Sequence, residues 1–114
     1  MSPAEGLALV EPRDLERWHF GHLFLKTQPV NTSGLARRLD PEAFYLACRW
    51  DYAVTSRSRL RESMCLVVAD EVSAYARPVD WGPAEWTGRA ADLSPGLAAK
   101  LNVLTGGYVQ VYLL

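Results

Sequence analysis

Two aspartates, an arginine and two tryptophans crowd into "VDWGPAEWTGRAADLSPGLAAKL", residues 79–101, and these are the side chains with which a protein handles sugars. A carboxyl group can donate or take a proton at a glycosidic oxygen, and glycoside hydrolysis ordinarily uses two of them. Flat indole faces stack on the apolar faces of sugar rings, and a guanidinium hydrogen-bonds hydroxyls or carboxylates. Gly82 and Pro83 predict a sharp turn after a strand, which leaves Asp80 at a strand end where its carboxylate can face a groove. Asp92 stands just before the Leu93–Ser94 pair that opens a helix, close enough to serve the helix amides or to project into the same groove. Trp81 and Trp86 fall in the loop that rims such a groove, with Trp50 near its other rim. Arg89 either binds ligand or pairs with Asp80 or Asp92, and Asp51 is a further carboxylate at a strand end.

The elements that hold these residues read as short strands. The first dozen residues form a tail, with Pro12–Trp18 a short helix, so that 1–19 precede a single domain over 20–114. "HFGHLFLK", 19–26, predicts a strand closed by the turn formers Pro29, Asn31 and Gly34. His19 and His22 alternate onto opposite faces of that strand, which argues against a shared metal ion. "LDPEAFYLACRWDY", 39–52, predicts a turn leading into a strand in its second half. "MCLVVA", 64–69, and "VSAYARPV", 72–79, form a hairpin that ends against Pro78, and "YVQVYLL", 108–114, alternates as a half-buried strand. Ser94 as N-cap, Pro95 in the first turn and Leu97, Ala98 and Leu101 on one face predict the single clear helix. Arg57, Arg59 and Arg61 read as a solvated strand face or loop.

Such a run of strands around one small helix suggests a closed small barrel of mainly β class. The order Asp80, Gly82-Pro83, Gly88-Arg89, Asp92-Leu93-Ser94 and a small helix resembles the signature of double-psi β-barrels of the rare lipoprotein A and expansin type, and "LDPEAFYLACRWDY" resembles their upstream aromatic and alanine-bearing strand. The resemblance implies a six-stranded double-psi β-barrel with one or two short helices, acting on or binding peptidoglycan or another β-linked glycan. By the transglycosylase analogy Asp80 protonates the leaving oxygen, with Asp92 holding the loop or stabilising positive charge; by the expansin analogy Asp92 takes the acid role. The chain departs from the transglycosylase pattern twice. Arg37, or Leu35 when "TSG" is aligned, stands where that branch has Glu, and Cys48 stands where it has His. Three classes of function stay open: a lytic transglycosylase-like enzyme, a non-catalytic glycan binder, and a structural or protein-interaction barrel.

Composition narrows the field further. With 12 Lys and Arg against 13 Asp and Glu, the net charge of −1 gives no general attraction for nucleic acid. No apolar run approaches a membrane span, and "MSPAEGLALVEPRDLERW" lacks the basic start and apolar run of an export signal. The chain is therefore expected in the cytosol as synthesised, and a phage or prophage protein would reach the cell wall through lysis or within a virion. Cys48 and Cys65 read as buried free thiols rather than a disulfide, and no cofactor or metal is expected.

Overall fold

A computed structural model describes residues 39–104 and 106–114, and within them the chain is mainly β with two short helices. Five strands, β1 (Tyr45–Cys48), β2 (Cys65–Ala69), β3 (Val72–Trp81), β4 (Ala91–Leu93) and β5 (Gln110–Leu113), form one mixed sheet in the order β4-β1-β3-β2-β5. Two helices, α1 (Arg57–Arg61) and α2 (Pro95–Leu101), and a 3-10 turn at Glu85–Thr87 connect them.

β3 is the spine of the sheet because its ten residues serve two partners in turn. Its first half, Val72–Ala76, pairs antiparallel with β2, and its second half, Arg77–Trp81, pairs in parallel with β1. The hairpin joining β2 to β3 needs only Asp70 and Glu71 between paired Ala69 and Val72, with Asp70 in the left-handed region at φ 52°. Aspartate tolerates that conformation better than most residues, which suits it to so tight a turn. Contrary to the expected stop at Pro78, β3 continues to Trp81. Proline has no N–H to give to a ladder, and the sheet accommodates it with a register shift between Leu46 and Ala47, opposite Pro78 and Asp80.

The core lies between the inner face of the sheet and α2. Leu46, Cys65, Val67, Ala69 and Ala76 from the strands meet Leu97 and Leu101 from the helix, all buried. Alternation along β2 shows why: Cys65, Val67 and Ala69 face inward, while Leu66 and Val68 stay half-exposed on the other side. The helix forms where the sequence predicts it. Ser94 caps it by accepting the Leu97 N–H at 3.3 Å, and Pro95 occupies the first turn. Ser94 also donates to the Ala43 carbonyl at 2.6 Å and accepts from the Tyr45 N–H at 3.2 Å, so one buried hydroxyl ties the helix start to the entry of β1. Gly96 completes this clasp: its N–H reaches the Pro41 carbonyl at 2.8 Å, and a Cβ there would lie 2.1 Å from the Glu42 carbonyl oxygen.

Three local expectations change. The strand within 39–52 stops at Cys48, because Asp51 turns the chain there, and so does not extend to Trp50 or Tyr52. Arg57, Arg59 and Arg61 lie on a helix rather than a strand face or loop; Ser56 caps it by accepting the Arg59 N–H, and Arg61 is buried. β4, three residues that pair antiparallel with β1, was hidden inside what reads as a turn before the helix. The strand expected at 19–26, the tail with its helix, and both histidines lie outside the described residues, as do Leu35 and Arg37. Among the described residues no helix is long and apolar enough to cross a membrane.

Candidate functional site

The residues singled out in the sequence fall into two groups, one buried and one exposed. Asp80 and Asp92 are brought into a single row: each is the register partner of Ala47, one from β3 and the other from β4. Two strand spacings separate them, roughly 10 Å between Cα atoms. Their surroundings differ sharply. Asp80 is 8% exposed, and its Oδ1 accepts the Trp81 N–H at 2.8 Å. Asp92 lies on an edge strand with its side chain 47% exposed, and its Oδ1 is 3.2 Å from Nη1 of Arg89.

Around Asp80 the chain builds a reciprocal indole clasp. Trp50 Nε1 donates to the Asp80 carbonyl at 3.0 Å, and Trp81 Nε1 donates to the Trp50 carbonyl at 2.8 Å. Both indoles are part-buried, and Trp50 packs against the core. The clasp joins the ends of β1 and β3 just where the Gly82 N–H, bonded to the Cys48 carbonyl at 3.0 Å, turns the chain away. Asp51, beside Trp50, is exposed and folds back on its own loop: Oδ1 accepts the Ala53 N–H at 2.9 Å and the carbonyl accepts from Thr55 at 2.8 Å. That is the Asx-type geometry aspartate adopts in turns.

The second group borders open space. Trp86, on the 3-10 turn, is 88% exposed, and Gly88 in the left-handed region at φ 72° ends that turn and sends the chain into β4. Arg49 reaches across from the β1 side and donates to the Arg89 carbonyl, which fixes this loop against the sheet. Beyond lies a cavity of about 540 Å³ between the β4 side and the segment leading into β5. Arg89, Asp92, Cys48, Ala98, Tyr108 and Val111 are among the residues lining it. β4 and β5 are the two ends of the strand order, so the sheet curls until both edges border one space. Asp80 is not among the residues lining it.

Cys48 is one of the residues lining this cavity. Burial pushes its thiol up to about 12, with the nearby Cys65 and Asp92 raising it further and Arg49 opposing them in part. Burial likewise pushes Cys65 up to about 11. Both are free thiols and stay protonated at neutral pH, so neither is a ready nucleophile or base. Among the described residues no three His, Cys, Asp or Glu side chains cluster as metal ligands would. The sequence reading missed Arg49, whose role depends on β4 pairing beside β1, and Ser94 and Gly96 as a clasp, which a Ser-Pro-Gly run shows only as a helix start. Compared with known proteins, the chain matches no family model and no curated protein.

Proposed function

We propose that this chain is a glycan-associated double-psi β-barrel protein of the rare lipoprotein A and expansin-like type, which binds a β-linked glycan such as peptidoglycan without cleaving it. The observation that carries the reading is the cavity beside β4, with the Arg89–Asp92 pair in its wall and the exposed indole of Trp86 on the preceding turn. A half-exposed ion pair offers hydrogen bonds to sugar hydroxyls or to a carboxylate substituent, and a free indole face offers stacking. The curled mixed sheet, with a parallel β1–β3 pair among antiparallel neighbours, is the scaffold on which this reading rests.

Binding is favoured over cleavage by the proton chemistry. In the resemblance Cys48 takes the place of a histidine, and a thiol pushed up to about 12 stays protonated at neutral pH and does not serve as a base. Asp80, the leaving-group acid of the transglycosylase analogy, lies outside the cavity lining and serves the Trp81 N–H. A second reading, a structural or protein-interaction barrel, is favoured by the indole clasp and the Ser94–Gly96 clasp, because both give the signature residues a folding role without any ligand.

Incubation of the purified protein with intact peptidoglycan sacculi separates the three classes. The binder co-sediments with sacculi, releases no anhydro-muropeptides detectable by mass spectrometry, and loses retention on Trp86→Ala and Arg89→Ala. Release that Asp80→Asn or Asp92→Asn abolishes would establish cleavage instead, and absence of co-sedimentation by folded protein would leave the scaffold reading.

A further inference from the structure

Charge in the cavity beside β4 is confined to one balanced pair. Among the described residues that line it, Arg89 and Asp92 are the only Asp, Glu, Lys, Arg or His side chains, and they meet each other at 3.2 Å. Aliphatic groups make up most of the rest. Ala91, Leu93, Ala98, Val103, Val109 and Val111 line the space while staying half-buried. Leu93, Val103, Val109 and Val111 also pack against the core, which holds this apolar wall in place. The cavity thus sets one donor–acceptor pair among hydrocarbon, and that combination discriminates between sugars.

A ring that carries only hydroxyls presents a donor and an acceptor at nearly every carbon. Each hydroxyl pressed against aliphatic groups gives up its water without a replacement partner, at a cost comparable to a lost hydrogen bond. A free amino substituent, charged at neutral pH, meets a pair whose charges already balance and a wall that penalises a buried charge. An N-acyl substituent escapes both penalties. Its amide offers one N–H donor and one carbonyl acceptor, and its methyl group is apolar. Asp92 supplies the matching acceptor and Arg89 the matching donor. Their mutual contact engages Oδ1 and Nη1, a carboxylate and a guanidinium each have further bonding positions, and the two side chains are 47% and 43% exposed.

We propose that the cavity holds the N-acyl substituent of a 2-acylamino sugar, with the amide N–H donating to Asp92, the carbonyl accepting from Arg89 and the methyl group against the aliphatic wall that includes Val103 and Val111. This rests on the glycan-binding reading and narrows it, from β-linked glycans in general to N-acylated ones. The pair satisfies the polar atoms of the amide, and burial of its methyl group removes apolar surface from water. Neither gain is open to a hydroxyl or an ammonium at the same carbon. A volume of about 540 Å³ falls within the range of roughly 300–1,000 Å³ typical of small-ligand sites, which leaves room for the ring that carries the substituent.

Calorimetric titration of the full chain with three β-1,4-linked tetramers, of N-acetylglucosamine, glucose and glucosamine, tests the assignment, because these differ only in the substituent at carbon 2. The acetylated tetramer is expected to bind ~10-fold or more tighter than either of the others. Intermolecular nuclear Overhauser effects from its acetyl protons to the methyl groups of Val103 and Val111 are expected as well. Equal affinity for all three, or tighter binding of the glucosamine tetramer, overturns the N-acyl assignment and leaves glycan binding standing. Acetyl protons that reach the Trp86 indole but not those valines overturn it too. Absence of binding by every tetramer also overturns it; retention of the same folded protein on sacculi would then keep the wider glycan reading, and lack of retention would remove both.

Discussion

The clasp around Asp80 and the rim around Asp92 are built from the same kinds of residue, yet the fold uses them differently. At the clasp, Trp50 and Trp81 spend their indole N–H groups on backbone carbonyls and Asp80 serves its own neighbour's amide, so polarity there is consumed in joining β1 to β3. At the rim, Trp86 is exposed and the Arg89–Asp92 pair is half in solvent beside a cavity. Burial and hydrogen-bond partners thus separate groups that residue type and spacing leave alike. The clasp should govern stability, and the rim should govern binding.

The largest effect is expected at the clasp. Trp50→Ala or Trp81→Ala removes a part-buried indole and leaves a carbonyl without its donor, which should cost about 3 kcal/mol in a urea titration. A variant that unfolds like the wild type would break the distinction. Ser94→Ala comes next. It removes a helix cap and two further hydrogen bonds at a buried site, for an expected loss of about 2 kcal/mol by the same measurement.

The thiols predict a pH dependence of smaller size. Cys48 is raised from 9.0 to about 12 in the folded protein, so folding favours the neutral thiol. Its contribution is complete below pH 9 and is lost as pH rises from there toward 12, because only the unfolded chain ionises in that window. Each thiol held neutral steepens the loss by at most about 1.4 kcal/mol per pH unit. Melting temperatures of wild type and Cys48→Ala compared between pH 8 and pH 10.5 should therefore converge as pH rises. Parallel curves would show that Cys48 ionises freely in the folded state. At the rim, Trp86→Ala and Asp92→Asn should change stability by no more than about 0.5 kcal/mol, as befits exposed groups, while weakening retention on sacculi.

Much of the scaffold is legible in the sequence because local signals there agree with the tertiary result. The β2–β3 hairpin, β5 and the Ser94-capped helix follow from alternation, turn residues and capping chemistry. Other features depend on partners distant in the chain. β4 is three residues long with no alternation to detect, and it is a strand only because β1 lies beside it. Next to Pro78, β3 carries an extra residue, Val79, between the partners of consecutive Leu46 and Ala47, an irregularity set by the pairing with β1 that no local rule reveals. Gly96 looks like an unremarkable early helix residue until the Glu42 backbone is seen to fill the space of its Cβ. For the candidate site, the sequence groups Asp80 with Asp92, and the two share a row through Ala47. It does not separate the tryptophans that lock the fold from the one left exposed, since that depends on where each indole N–H finds an acceptor.

The most direct test of this division is a titration of the ¹⁵N-labelled protein with a soluble peptidoglycan fragment, following the indole N–H resonances by NMR. The Trp86 signal should move, together with backbone signals around Arg89 and Asp92, while those of Trp50 and Trp81 stay in place. Movement of the Trp50 and Trp81 signals with Trp86 unaffected would contradict it.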